Sequence, residues 1–287
     1  MNKSIVTKLL KIIIVLLSFW FIGEKFWQHQ YWIKNNIIND LLIITILICG
    51  VLYGSSQFLL SFAWRRLLIW CGHENISIKN CNRIYGKSQI AKYIPGNVFH
   101  VIGRHILGKQ EGIKHIVLAG ATIYEILGLI CASILISLGG IILFDLENNY
   151  LSLNQSVIIF IITFFIFVLV IGITPNLMQK RKINIPNKTL MNSILHISLI
   201  YISYFIFFII TGLLLAFIVK IFIHINFFTV GKIIVIFCIA WVTGFVVPGA
   251  PGGIGVREAV IIFFIAPIIG EAQGVAVSIA LRFVTLI

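Results

Sequence analysis

Arg104, Arg257 and Arg282 are the residues whose type and setting most plainly allow chemistry, because each lies in apolar sequence. A guanidinium stays charged and presents a fork of donors that suits a phosphate or a carboxylate. Two of the three share a spacing. Arg104 lies nine residues after the proline of Pro95-Gly96, and Arg257 nine residues after the proline of Pro248-Gly249. Pro and Gly end or interrupt helices, and irregular backbone at membrane depth persists only where protein or water satisfies it. Paired interruptions in two halves of a membrane protein point to a translocation or binding site. The competing reading is coincidence, since Pro-Gly pairs are common in loops.

The second break continues as Pro251-Gly252-Gly253-Ile254-Gly255-Val256-Arg257-Glu258. Arg257 and Glu258 thus open a helix, whose start offers free N–H groups and partial positive charge. Gly252, Gly253 and Gly255 let backbone approach an anion closely, and the arginine makes this a candidate phosphate cradle. A sharp turn that sets two helices side by side is the structural alternative. Arg104 could act in the same way at the first break or snorkel to the interface. Lys92 and Tyr93 stand beside that break and could touch a head group. Arg282, ten residues into the last apolar stretch, is expected to face the protein interior. Glu125 and Glu258 are the candidate charge partners. A carboxylate inside a span is costly and suggests function by default, so Glu125 is read as an arginine's partner, with a proton carrier as the alternative. His100 and His105 read as interfacial residues.

Several chemistries are excluded. Asp40 and Asp145, the only aspartates, stand 105 positions apart and cannot build an Asp-x-Asp site. No HExxH, Gly-x-Ser-x-Gly or nucleotide fingerprint occurs. Cys71, His73 and Cys81 match no zinc spacing, and five scattered cysteines suggest no disulfide framework. No metal and no cofactor are expected, and a hydrolase or an ATP-driven pump is disfavoured.

The elements that position these residues are membrane helices. The 287-residue chain is 60% hydrophobic and 11% charged, with mean hydropathy +1.06, whereas soluble domains carry about 25% charged residues. The reading is a single all-α integral membrane domain over residues 1–287. It is a polytopic helical bundle of about seven or eight segments, with re-entrant or broken helices at Pro95-Gly96 and Pro248-Gly253. Spans are expected at 5–22, 41–63, 116–144, 151–173, 194–219 and from about 233 to the second break, with 256–269 and 272–287 following. Residues 88–107 are too short and polar to cross. Lys and Arg concentrate in the N-terminus, in 64–92 and in 175–190, and are absent from 145–150. By the positive-inside rule that places the N-terminus in the cytoplasm, with the two lysines of 220–232 as a mild discord. The net charge of +13 therefore sets topology, and nucleic acid is not an expected partner. The abrupt apolar end is read as a truncation.

The strings Lys-Tyr-Ile-Pro-Gly at 92–96, Gly103-Arg104, Tyr124-Glu125 and Pro-Gly-Gly-Ile-Gly-Val-Arg-Glu at 251–258 carry a resemblance. The chain resembles the lysylphosphatidylglycerol synthase transmembrane-region family of flippase-like integral membrane proteins, over about residues 10 to 287. The resemblance implies a helical bundle with re-entrant segments. Some members carry a soluble aminoacyl-transferase domain and move the aminoacylated lipid across the bilayer; no such domain is expected within residues 1–287. Stand-alone members look like accessories to cell-surface glycolipid or polysaccharide assembly. The leading expectation is a flippase-like translocase of an anionic lipid, an anionic phospholipid or a polyprenyl phosphate, in the bacterial inner membrane. Arg104, Arg257, Arg282 and the glycines would hold its phosphate. The rivals are a membrane-embedded lipid-modifying transferase with Glu258 or Glu125 as base, and a non-transporting partner of a glycosyltransferase or synthase subunit.

Overall fold

A computed structural model describes residues 16–17, 20–32, 40–73, 75–93, 99–144, 190–247 and 250–286. Among these the chain is all-helical, with no strand. The elements are α1 (residues 20–32), α2 (Asp40–Trp70), α3 (Ile78–Gln89), α4 (Phe99–Gln110), α5 (His115–Phe144), α6 (Leu190–Val219), α7 (Phe227–Val246), α8 (Val256–Ile269) and α9 (Glu271–Leu286). Short 3-10 turns stand at Ile90–Tyr93 and Pro251–Gly253. Helices α2, α5, α6 (from Leu195) and α7 are each long and apolar enough to cross a membrane. With backbone hydrogen bonds closed inside each segment, helices are the form that unbroken apolar sequence can take in lipid.

Most expected spans coincide with a helix. The expected 41–63, 116–144 and 194–219 fall within α2, α5 and α6, and 256–269 matches α8. Some boundaries differ, and α7 begins at Phe227, six residues before the expected start near 233. Helix α2 runs seven residues beyond Ala63, through Arg65 and Arg66, and within the connection expected at 64–92 Ile78–Gln89 form the separate helix α3. Ser77 caps α3 by accepting the Asn80 N–H at 3.1 Å, an N-cap that removes one orphan donor. Its buried residues Cys81, Ile84, Tyr85 and Ser88 follow the spacing i, i+3, i+4, i+7 of a one-faced helix. The expected spans 5–22 and 151–173, the turns 145–150 and 175–189, and the pairs Pro95-Gly96 and Pro248-Gly249 lie largely or wholly outside the described residues.

The chain divides into two compact units. One comprises the described residues up to Ser55, Tyr93, and those from Ile209 onward; the other comprises 56–92 and 98–208, so α2 and α6 each contribute to both. In the first unit α8 packs against both α7 and α9. Gly270, at φ 99°, turns the chain between α8 and α9, and Gly274 lets α9 approach the Ala266 backbone, where a Cβ would stand 3.3 Å from its nitrogen. In the second unit α3 packs on α4, and α4 on α5.

Candidate functional site

Each unit holds an arginine–glutamate pair, buried in the second unit and partly buried in the first, and the two pairs are built differently. In the second unit α4 supplies Arg104 and α5 supplies Glu125, each 4% exposed. One Arg104 terminal nitrogen is in direct contact with a Glu125 oxygen. The other Glu125 oxygen accepts the Tyr85 hydroxyl of α3 at 2.7 Å. The Arg104 guanidinium lies over the Tyr85 ring, 4.0 Å from its centre, and 5.5 Å from that of Trp64. Its Nε faces Ser88 Oγ at 3.5 Å, and that hydroxyl donates to the Tyr85 carbonyl at 2.7 Å. Carboxylate, phenol and two aromatic faces thus surround the cation, which is how a buried charge survives desolvation.

A second ring of contacts holds this centre in place. Ser61 of α2 donates to Asn82 of α3 at 2.7 Å, and Arg65 donates to the Ile76 carbonyl at 2.9 Å. Glu111, after α4, accepts from Asn80 at 2.7 Å and pairs with Arg83. Gly108 and Gly128 supply the clearance. A Cβ at Gly108 would stand 2.6 Å from a methyl of Leu118, and one at Gly128 would stand 2.7 Å from the ring of Tyr204.

In the first unit the three 3-10 residues and Gly255 lead into α8. Gly252, Gly253 and Gly255 all adopt positive φ, at 58°, 74° and 89°, a conformation that glycine adopts without strain. Gly253 N–H donates to the Ala250 carbonyl at 2.9 Å. Gly255 N–H donates to Glu258 Oε2 at 2.6 Å, closing the start of α8. The other oxygen of Glu258 accepts from Arg282 Nε of α9 at 2.9 Å. Arg282 Nη2 is buried and has no hydrogen-bond partner among the described residues.

Arg257 leaves α8 on the side of α7. Its guanidinium carbon is 5.7 Å from the centre of the Trp241 ring. Its stem lies across two glycines: a Cβ at Gly244 would meet Arg257 Cγ at 2.5 Å, and one at Gly253 would meet Arg257 Nε at 2.8 Å. Arg257, Glu258 and Arg282 line one pocket whose other walls include Trp241, Ile261 and Leu281. Two cations and one anion thus share one small pocket with an apolar wall.

The candidate residues are therefore divided between units. Arg104 and Glu125 meet in one, and Arg257, Glu258, Arg282 and the three glycines meet in the other. Lys92 is half-buried at the end of the 3-10 turn; the side chain of Tyr93 lies outside the described residues. Sequence reading gave no site role to Tyr85, Ser88 and Trp64. The 81–84–85–88 spacing was the signal for the first two, since it puts Tyr85 and Ser88 on one helix face. Trp241 and Gly244 carried no local signal, because their part depends on the approach of α7 to α8.

The family described as Lysylphosphatidylglycerol synthase TM region matches residues 8–287. The chain belongs to that family. A search among curated proteins finds no match. As a member of the Lysylphosphatidylglycerol synthase TM region family with four membrane-length apolar helices among its described residues, it is a membrane protein related to lysylphosphatidylglycerol synthase. The family match spans both pairs, so both belong to the membrane region itself.

Proposed function

We propose that the protein moves an anionic lipid across the bacterial inner membrane, with its phosphate held in the pocket of Arg257 and Arg282. The carrying observation is that pocket, which joins two guanidinium groups to an apolar wall. An arginine is expensive inside an apolar bundle, and an amphiphile that brings a phosphate offsets that cost through charge-assisted hydrogen bonds. The amino terminus lies in the cytoplasm on this reading, and the helices that flank each Pro-Gly pair form re-entrant segments. Arg104 takes a supporting part, because Glu125, Tyr85 and Ser88 already engage its guanidinium. Lys92 and Tyr93 are assigned to head-group contact.

The test is reconstitution of the full chain into liposomes with fluorescent phosphatidylglycerol, followed by dithionite quenching of the outward-facing label. The expected result is loss of the protected lipid fraction with wild type and its retention with Arg257→Ala. Equal behaviour of the two proteins removes the assignment of this site. Chemical conversion of the lipid by purified protein would instead favour a lipid-modifying transferase, for which Glu258 is the carboxylate in the pocket.

A further inference from the structure

Glu258 makes two bonds at once, and both donors are groups that an incoming anion would use. Oε2 takes the Gly255 N–H at 2.6 Å, and Oε1 takes Arg282 Nε at 2.9 Å. The carboxylate is 8% exposed by residue and lies within the pocket wall beside Arg257. A phosphate oxygen and a carboxylate oxygen are interchangeable acceptors for an arginine fork. Arg282 Nη2 stays buried without a hydrogen-bond partner among the described residues, so the fork is only partly satisfied by the glutamate.

We infer that Glu258 is a built-in competitor: its carboxylate occupies the anion position of the pocket, and the ligand's phosphate docks by exchanging with it. This inference rests on the reading of the pocket as a phosphate site. A protein that must release what it binds gains from such exchange, because the carboxylate returns to Gly255 N–H and Arg282 as the phosphate leaves. The Gly255 N–H and Arg282 Nε each keep an acceptor at either stage, which avoids the penalty of leaving those two donors unpaired. The ligand class is a phosphate mono- or diester, and the apolar wall of Trp241, Ile261 and Leu281 favours one attached to an acyl or prenyl chain.

The experiment titrates detergent-solubilised full chain with dihexanoyl phosphatidylglycerol and, separately, with inorganic phosphate, by isothermal titration calorimetry. Glu258→Gln keeps a carbonyl acceptor for Gly255 N–H and removes the competing charge. It is expected to bind the short-chain lipid about tenfold more tightly than wild type, equivalent to about 1.4 kcal/mol. Glu258→Asp, too short to span both donors, is expected to tighten binding severalfold, so the inference does not depend on one variant folding. Glu271→Gln, which removes an acidic charge from the same unit without touching the pocket donors, should stay within twofold of wild type. Arg282→Ala should weaken binding at least tenfold.

If neither Glu258 variant tightens binding while Arg282→Ala weakens it, the exchange is wrong and the phosphate pocket stands. If Glu271→Gln tightens binding as much as Glu258→Gln, the effect is general charge and the exchange is also overturned. If Arg282→Ala binds as wild type does, the pocket itself is misassigned. Binding of phosphatidylglycerol without binding of inorganic phosphate identifies a lipid head group as the source of the anion; binding of both with similar affinity points to free phosphate.

Discussion

At the scale of single residues, two arginines of one chain, Arg104 buried and Arg282 half-buried, differ in what surrounds them. Arg104 is saturated by a carboxylate, a hydroxyl and two aromatic faces, and is 4% exposed. Arg282 has one bonded nitrogen and one buried nitrogen without a partner among the described residues. Breaking a buried pair by removing one partner leaves an uncompensated charge, at a cost of about 3–5 kcal/mol. Arg104→Ala and Glu125→Ala are therefore each expected to destabilise the protein by that amount in detergent melts. Arg104→Leu combined with Glu125→Leu should cost distinctly less than either alone, since no charge is left stranded. If the double variant is the worst of the three, the pair has a role beyond mutual neutralisation. Tyr204 makes the opposite case. Its hydroxyl is buried and has no hydrogen-bond partner among the described residues, so Tyr204→Phe should leave the melting temperature unchanged or raise it.

At the scale of elements, the glycines set how closely helices approach. Helices α6 and α7 meet where Gly212 faces Ile234, and a Cβ there would stand 2.9 Å from the Ile234 Cα. Small residues at such contacts drive helix association in membranes. Backbone cannot yield as a flexible side chain can, so Gly212→Ala is expected to cost about 1–3 kcal/mol as overpacking. Gly244→Ala should behave differently, because its added methyl meets the Arg257 stem rather than backbone. It is expected to displace Arg257 and lower lipid movement while the melting temperature changes by a few degrees at most. Helix α1 is tied to α9 through Glu271, which accepts from Lys25 at 2.7 Å and faces His29 at 3.3 Å. The hydrogen bond from Lys25 first, then that from His29, hold the Glu271 carboxyl below its ordinary 4.5. A depressed carboxyl contributes stability above its unfolded value and loses it as pH falls through the folded one. The melting difference between wild type and Glu271→Gln should thus be present at pH 7 and vanish as pH drops below about 4.5.

The same scale separates what residues announce from what packing decides. Apolar run length was enough for α2, α5 and α6, because burial in lipid is additive along a segment. Helix α8 was legible from punctuation, with glycines before Val256 and Gly270 after Ile269. Helix α3 was not, since its many charged and amide residues look like a connection until the 81–84–85–88 stripe is counted. Glu125 and Arg104 could be singled out as costly residues. Their three-way geometry with Tyr85 could not, because it needs three helices to converge and no local pattern encodes that.

At the scale of the whole molecule, the distribution of charge decides orientation. The chain carries 22 Lys and Arg against 9 Asp and Glu, and short basic connections stay on the cytoplasmic side. Helix α3 is the described element where this bias is densest, with Lys79, Arg83 and Lys87 all exposed. A cysteine introduced at Lys79 should therefore react with a membrane-impermeant maleimide in inside-out vesicles and stay unlabelled in intact cells. A cysteine at Lys220, exposed after α6, should show the reverse pattern. Two native thiols on the basic side leave that readout undisturbed. Cys71 and Cys81 are fully buried, and burial pushes both thiols up to about 12, against a partial lowering of Cys81 by Arg65. The thiolate is the reactive form, so neither competes for the reagent near neutral pH. Labelling of the Lys79 position from the outside would invert the molecule.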